Sequence, residues 1–546
     1  SNITGNIICL GGTSGIPALN APVSTINLGI NGTLSAGLYQ IVDTVTLTGN
    51  PKITTVYPEW WGAVGDGVTD DTVAINKAID VLSSGGVVTF RSATYLISDA
   101  IKILNSGITI QGTGQYTSII KTSSTTANII EVGSYTTNVE HCEILNLRVT
   151  SSVVKTSGAG VKVMNAHNIK IKKIRCAANM YIGIQFEGGS YGNGQFLYFL
   201  EDFEINTGTY GIIIGADEGG TPGYGSSALV QDIWISNGII DGCTNSGIAL
   251  KHLSGLYISS VDVITCKNGI SIVPDSSTRK VVAVFASKVL GDTCTGSGWL
   301  VQPSNSGKIS DLNLTDCWGS TNALHGMLFL NELNASDSSI LSSISLVAPR
   351  CINNGRNGIT IIGYVKDIEI INAQCLSNST SSSGAYNGLT VGLNVRGLTV
   401  TNGIFGKNNH LGSNLQGYGI SLLRENIDEY TLIGCNCLNN VTGSLYNAAT
   451  GTTYTISSVR GYRTKNEGTA ELLAGETSVT ITHGLGKAPV NHNLTITNLV
   501  PPDWAGLSNS DAFWISDVSS TTFTISCSSA PTSSMWIGWT ADISGR

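Results

Sequence analysis

Charge is what this sequence most lacks. Asp, Glu, Lys and Arg together make up 12% of its 546 residues, about half the share of an ordinary soluble domain. The few lysines and arginines form no cluster, and the net charge is -8. Nucleic-acid binding needs a basic surface to neutralise phosphates, so that partner is excluded. Apolar runs fall far short of the roughly 18 residues a membrane helix needs, so insertion through a helix is not expected. The twelve cysteines include no Cys-x-x-Cys pair and no Cys/His zinc spacing. No metal and no cofactor is therefore expected. Cys435 and Cys437 would share one face of a strand, which is poor disulfide geometry. The cysteines read instead as small buried apolar residues. No signal peptide opens the chain, and it starts "SNITG" without Met, as expected where the natural start lies upstream.

What the sequence has in plenty is glycine, 65 residues of it, with frequent Ser, Thr and Asn. That is the composition of a turn-rich β-protein. The glycines are periodic. "GVKVM" at Gly160 returns as "GIQFE" at Gly183, "GIIIG" at Gly211, "GIALK" at Gly247 and "GISIV" at Gly269. The series runs on through Gly298, Gly326, Gly358 and Gly388 to "GISLL" at Gly419, at intervals of 22 to 36 residues. A period of that size marks a solenoid, and alternation of period two inside each unit marks strands. A second strand follows in each unit, as in "NIKIKKI", "DFEIN", "DIWIS" and "GLYIS". A cysteine-bearing turn comes next, at Cys176, Cys243, Cys266, Cys294, Cys317, Cys351, Cys375 and Cys437, and predicts one internal column of cysteines. The expected fold is an all-β parallel β-helix.

Before the repeat stands "TDDTVAINKAIDVLSSGG". It predicts a helix over 70–83, capped by Thr69 or Asp70, with Ile75, Ala78, Ile79 and Leu82 as its apolar stripe. Such a helix would cover the open end of the solenoid, which otherwise exposes strand edges. Asp66, Asp70 and Asp71 are then structural. The longer stretch "PEWWGAVGDGVTDDTVAINKAI" resembles the opening motif of the pectate-lyase-like superfamily, in the form carried by bacteriophage tailspikes and capsule depolymerases. The resemblance implies a right-handed β-helix and a homotrimer. It further implies cleavage of a bacterial capsular polysaccharide or O-antigen, attachment to a phage baseplate or tail through the N-terminal segment, and a place on the virion acting at the bacterial surface. The tail from about 465 resembles the small β-domains that end phage fibre and spike proteins. The expected organisation is a connector over 1–55, a helix-capped start over 56–90, the catalytic β-helix over 91–445, and a C-terminal β-domain over 446–546 for trimerisation or glycan binding.

The alternation separates inward from outward side chains. In the glycine strands the late outward residues Leu300, Leu328, Leu330, Ile362 and Leu423 are apolar, which predicts a face buried between subunits. In the second strand the outward series contains Glu204, Trp234 and Tyr257 on consecutive turns. An acid beside two aromatic rings suits a sugar, which presents apolar C–H faces and hydroxyl edges. Two long loops, after Phe186 and after Gly215, are expected to wall a groove there. They would bring Glu187, Asp217, Glu218 and Tyr224 to it, with Lys251, His252 and Asp275 leaving neighbouring turns. Glycoside hydrolysis uses two carboxyl groups, so Glu204 with Asp217 or Glu218 forms the expected catalytic set, and Trp234 and Tyr257 the substrate platform. Asp202, Asp232 and Asp367 each precede an inward residue and read as turn residues, as does His483. A polysaccharide lyase of the same fold and a non-catalytic glycan-binding spike remain the alternatives.

Overall fold

The computed structural model describes residues 53–188, 196–215, 229–331, 340–407, 415–423, 426–490, 493–499, 505–507 and 511–544, with short stretches before residue 49. The chain is a mostly-β parallel solenoid of about 13 turns with small antiparallel sheets near its C-terminus and little helix. It falls into two compact units, Ser1–Ala323 with Leu333–Leu341, and Leu324–Glu332 with Ser342–Arg546.

In the first unit the glycine strands stack in parallel from Ile101–Ile103 through Ala159–Met164, Ile182–Glu187, Tyr210–Ile214 and Ser246–Leu250 to Trp299–Val301. Their inward residues form continuous rows. Val161, Ile184, Ile212, Ile248, Ile270 and Trp299 are successive partners, and each is at most 2% exposed. Burial of such side chains, at roughly 1.5–3 kcal/mol each, drives the stacking. The repeating glycine has a steric cause. A Cβ on Gly183 would lie 2.6 Å from the Gly211 carbonyl oxygen, and one on Gly269 would lie 2.4 Å from that of Gly298.

The second strand of each turn is bent twice. At each bend one residue takes a left-handed conformation and the alternation restarts. The first bend is made by Asn168, Leu197, Asp232, Gly255 and Ala283 on successive turns, and the second by Asn146, Lys173, Asp202, Asn237, Ser260 and Lys288. Asp202, Asp232 and Asp367 have φ of 53°, 51° and 54°, as turn residues should. Asn, Asp and Gly bear this conformation at least cost.

The helix forms over Thr72–Asp80, two residues later than its sequence predicts. Asp70 ends a strand instead, and its carboxylate accepts the Thr72 N–H at 3.0 Å and the Ser98 hydroxyl at 2.5 Å. Burial opposes ionisation of Asp70, but these hydrogen bonds outweigh it and hold the group below the usual carboxylate range. The apolar stripe is as expected: Ile75, Ala78 and Ile79 are fully buried and Leu82 nearly so. Asn76 donates to the Ala100 carbonyl and accepts the Lys102 N–H at 2.9 Å, which satisfies the outer edge of the first glycine-sheet strand. Glu59 is buried, ion-paired to Arg91 at 2.7 Å and bonded by the Tyr95 hydroxyl. The acidic stretch therefore braces the start of the solenoid.

The cysteines whose surroundings are described are buried free thiols. They do not form one column. Cys243, Cys266 and Cys294 stack by backbone bonds of successive turns. Cys176 aligns with Val149 and Ile205, which lie on another row. In the second unit Cys375 pairs with Cys351 on one side and Phe405 on the other. Beside them a column of amides runs from buried Asn354, Asn378 and Gln416 to half-buried Asn440, with side-chain hydrogen bonds of 2.8, 2.9 and 3.0 Å. The second unit continues the parallel pattern from Met327–Asn331 to Gly443–Asn447. It ends in two antiparallel three-stranded sheets between Lys465 and Asp542.

Candidate functional site

The second bend creates a concavity in the first unit. A groove of about 1110 Å3 follows the bend row, with Asn146, Lys173, Asp202, Asn237, Ser260 and Lys288 along its bottom. One turn earlier the bend is replaced by an excursion, residues 113–117, that carries Tyr116 over the groove. Gly112 permits it: a Cβ there would sit 2.3 Å from the Asn146 carbonyl oxygen.

Past the bend, the outward row reads Arg148, Arg175, Glu204, Ile239, Asp262 and Leu290 on consecutive turns. Glu204 is arranged as an acceptor at both oxygens. The Tyr116 hydroxyl donates to Oε2 at 2.8 Å, and Arg175 lies 3.2 Å from Oε1. The Arg175 guanidinium also stacks 4.7 Å from the Tyr116 ring centre. The Glu204 carboxylate raises the Tyr116 phenol above its usual value, so the hydroxyl stays a donor. Burial, reinforced by the charge of Arg175, pulls Arg148 down.

Asp262 is the second carboxylate of that row. It is exposed and has no hydrogen bond or ion pair among the described residues. Two turns separate it from Glu204. At roughly 4.8 Å per turn their backbones stand about 9.6 Å apart. Exposed Ile239 occupies the turn between them, so an apolar step separates the two acids along the row.

The structure corrects the predicted aromatic track. The partner of Trp234 on the preceding turn is Phe199, not Glu204, and the next partners are Tyr257 and Phe285. The four rings stack at 5.1, 5.2 and 5.1 Å with interplanar angles of 16°, 11° and 10°. Each interior ring spends both faces on its neighbours, leaving mainly edges to solvent. Glu204 lies beyond the second bend, in the groove.

The other candidates are dispersed. Glu187, 2% exposed, is locked to Lys162 at 2.7 Å and to the Tyr135 hydroxyl at 2.9 Å. Lys251 and His252 are buried; His252 Nδ1 accepts the Lys280 N–H, and Lys251 Nζ lies 6.0 Å from the Tyr210 ring centre. Asp275 pairs with Arg279 at 2.6 Å. None of these lines the groove, because they leave the glycine sheet whereas the groove lies at the bend of the other strands. Asp217, Glu218 and Tyr224 lie outside the described residues. Tyr116 and Asp262 escaped the sequence reading. The "SVDVI" alternation does place Asp262 outward; Tyr116 left no local signal. No group of three or more His, Cys, Asp or Glu among the described residues is placed to hold a metal ion.

Residues 60–271 match the family model described as rhamnogalacturonase A/epimerase, pectate lyase-like. A glucan 1,3-beta-glucosidase of Cochliobolus carbonum is 26% identical over 251 residues, 40% of this chain and 29% of that protein. The chain thus spans under a third of that relative's length. The Dettilon tailspike protein superposes with a TM-score of 0.51 at 14% identity, over 90% of this chain and 94% of that one. The A-module of an Azotobacter vinelandii mannuronan C-5 epimerase gives 0.47 at 14% identity, over 74% and 100%. These likenesses agree with the parallel β-helix fold described above.

Proposed function

We propose that this chain is a polysaccharide-cleaving enzyme, a glycoside hydrolase whose active site is the groove at the second bend, with Glu204 and Asp262 as its carboxyl pair. The observation that carries the reading is the pair itself: two acids on one row, two turns apart, lining one groove. Inverting glycosidases hold their carboxyl groups about 6.5–9.5 Å apart, with room for water between acid and base. The backbone spacing suits that geometry better than the shorter separation of retaining enzymes.

Glu204, with a cation and a phenol already bonded to it, serves as the base that receives a proton from water. Asp262, whose carboxylate has no bonded neighbour among the described residues, serves as the acid that protonates the leaving oxygen. Tyr116 offers an exposed ring beside Glu204 as a sugar platform. The resemblance of the 58–79 motif supports a phage tail spike as the setting, a homotrimer as its assembly, and a capsular polysaccharide or O-antigen as its substrate. The glucosidase relative supports hydrolysis over elimination.

The test is incubation with purified capsule and O-antigen preparations while new reducing ends are counted. Glu204→Gln and Asp262→Asn should each slow cleavage at least about a hundredfold, the low end for general acid–base catalysis. Full activity in both variants would move the chemistry elsewhere, with Asp217→Asn and Glu218→Gln as the next pair to make. An unsaturated product would make it a lyase, and binding without any cleavage a glycan-binding spike. Light scattering of the unmodified chain tests the trimer.

A further inference from the structure

A second recess, in the second unit, encloses about 500 Å3 and has no aliphatic side chain in its wall. Two short rows build it. Tyr364, Asn394 and Asn426 lead successive turns, and Lys366, Arg396 and Asp428 follow two residues later in each. Residues 450–452 close the end. A Cβ on Gly451 would lie 2.2 Å from the Ile427 carbonyl oxygen, so that wall is drawn in as tightly as the backbone permits.

Each side chain is placed to be used from outside. The Tyr364 backbone is fixed by the Asn331 amide at 2.9 Å, while its side chain is 46% exposed and has no ring partner among the described residues. The ring faces therefore stay available, in contrast to the stacked rings of the first unit. Asn394 and Asn426 hold left-handed bends, and their amides contact each other only at 3.5 Å. Arg396 and Asp428 are 3.9 Å apart, the Arg396 side chain is 58% exposed, and Asp428 is tied to the Thr453 N–H at 3.0 Å. Lys366 and Arg396 stand on adjacent turns, and the wall holds a single carboxylate, Asp428.

We propose that this recess is a non-catalytic glycan subsite for a sugar that carries a carboxylate. The phenol ring meets the C–H face, the two amides read hydroxyl groups, and the Lys366–Arg396 pair holds the acid through charge-assisted hydrogen bonds. One tied carboxylate provides no acid–base pair for cleavage. The subsite extends the polysaccharide reading but is tested without it.

The probe is sodium glucuronate, followed by saturation-transfer NMR on the full chain carrying Glu204→Gln and Asp262→Asn, with glucose and sodium acetate alongside. Glucuronate should bind more tightly than either control. Arg396→Gln should weaken it about tenfold or more, the scale of one charged hydrogen bond, and Tyr364→Ala about threefold or more, the scale of one ring contact. No glucuronate signal, equal signals from glucose or acetate, or binding untouched by both substitutions overturns the subsite. Any of those results, with cleavage by the unmodified chain intact, leaves the groove reading standing.

Discussion

Trp234 tests whether the stacked rings of the first unit hold sugar or hold the solenoid. Its ring lies between Phe199 at 5.1 Å and Tyr257 at 5.2 Å, nearly parallel to both. An aromatic pair in such geometry contributes about 0.5–1.5 kcal/mol beyond the area it covers. Trp234→Ala removes two such contacts, so roughly 1–3 kcal/mol should go from stacking alone, with lost burial added. Urea unfolding of Trp234→Ala, Tyr257→Ala and the double variant isolates one contact, and the coupling should be about 0.5–1.5 kcal/mol. Glycan affinity, measured on the same proteins carrying Glu204→Gln, should stay within about twofold, because a sugar meets ring edges there and not faces. The reasoning fails if the unfolding midpoint holds and affinity drops tenfold.

Two further outcomes follow from the geometry. Gly269→Ala would set a Cβ 2.4 Å from the Gly298 carbonyl oxygen and 2.8 Å from the Gly291 Cα; backbone must move, and a thermal melt should show at least about 1–3 kcal/mol of lost stability. Burial, with the charge of Arg356 adding to it, pulls buried His325 down to about 4. The unfolded chain takes up that proton near pH 6.5, so this stability is complete above pH 6.5 and is lost as pH falls towards 4, about 3 kcal/mol in all. His325→Gln should flatten stability against pH across that window, and parallel curves for the two proteins would refute the assignment.

The solenoid was legible because its causes repeat. The glycine period follows from one steric contact made turn after turn, and the inward Val, Ile and Leu from a two-residue alternation with a single core. The helix stripe was legible for the same reason, but both ends were misplaced: the helix starts two residues later, where Asp70 serves a strand, and stops at Asp80. The groove was not legible, because both bends use one local pattern. "DFEIN" begins at the second bend, while "DIWIS" and "DIEII" begin at the first; each is an aspartate in left-handed conformation followed by an inward apolar residue. Reading the three as equivalent set Glu204 beside Trp234 and hid both Phe199 and the row that holds Asp262. Only register between turns separates them. Tyr116 was hidden more deeply, since it meets Glu204 from 88 positions away.

The buried thiols carry a consequence for how this molecule comes apart. They are spread along the chain from Cys142 to Cys527, and none of those described is in a disulfide. Burial pushes several of them up, Cys294 and Cys317 to about 12, so an alkylating reagent finds almost no thiolate until a turn opens. Each thiol so raised is therefore a chemical clock for its own neighbourhood. In a fold whose turns touch only their neighbours, pulsed alkylation read by peptide mass would show where unravelling begins, in which direction it travels, and at which turn it stalls.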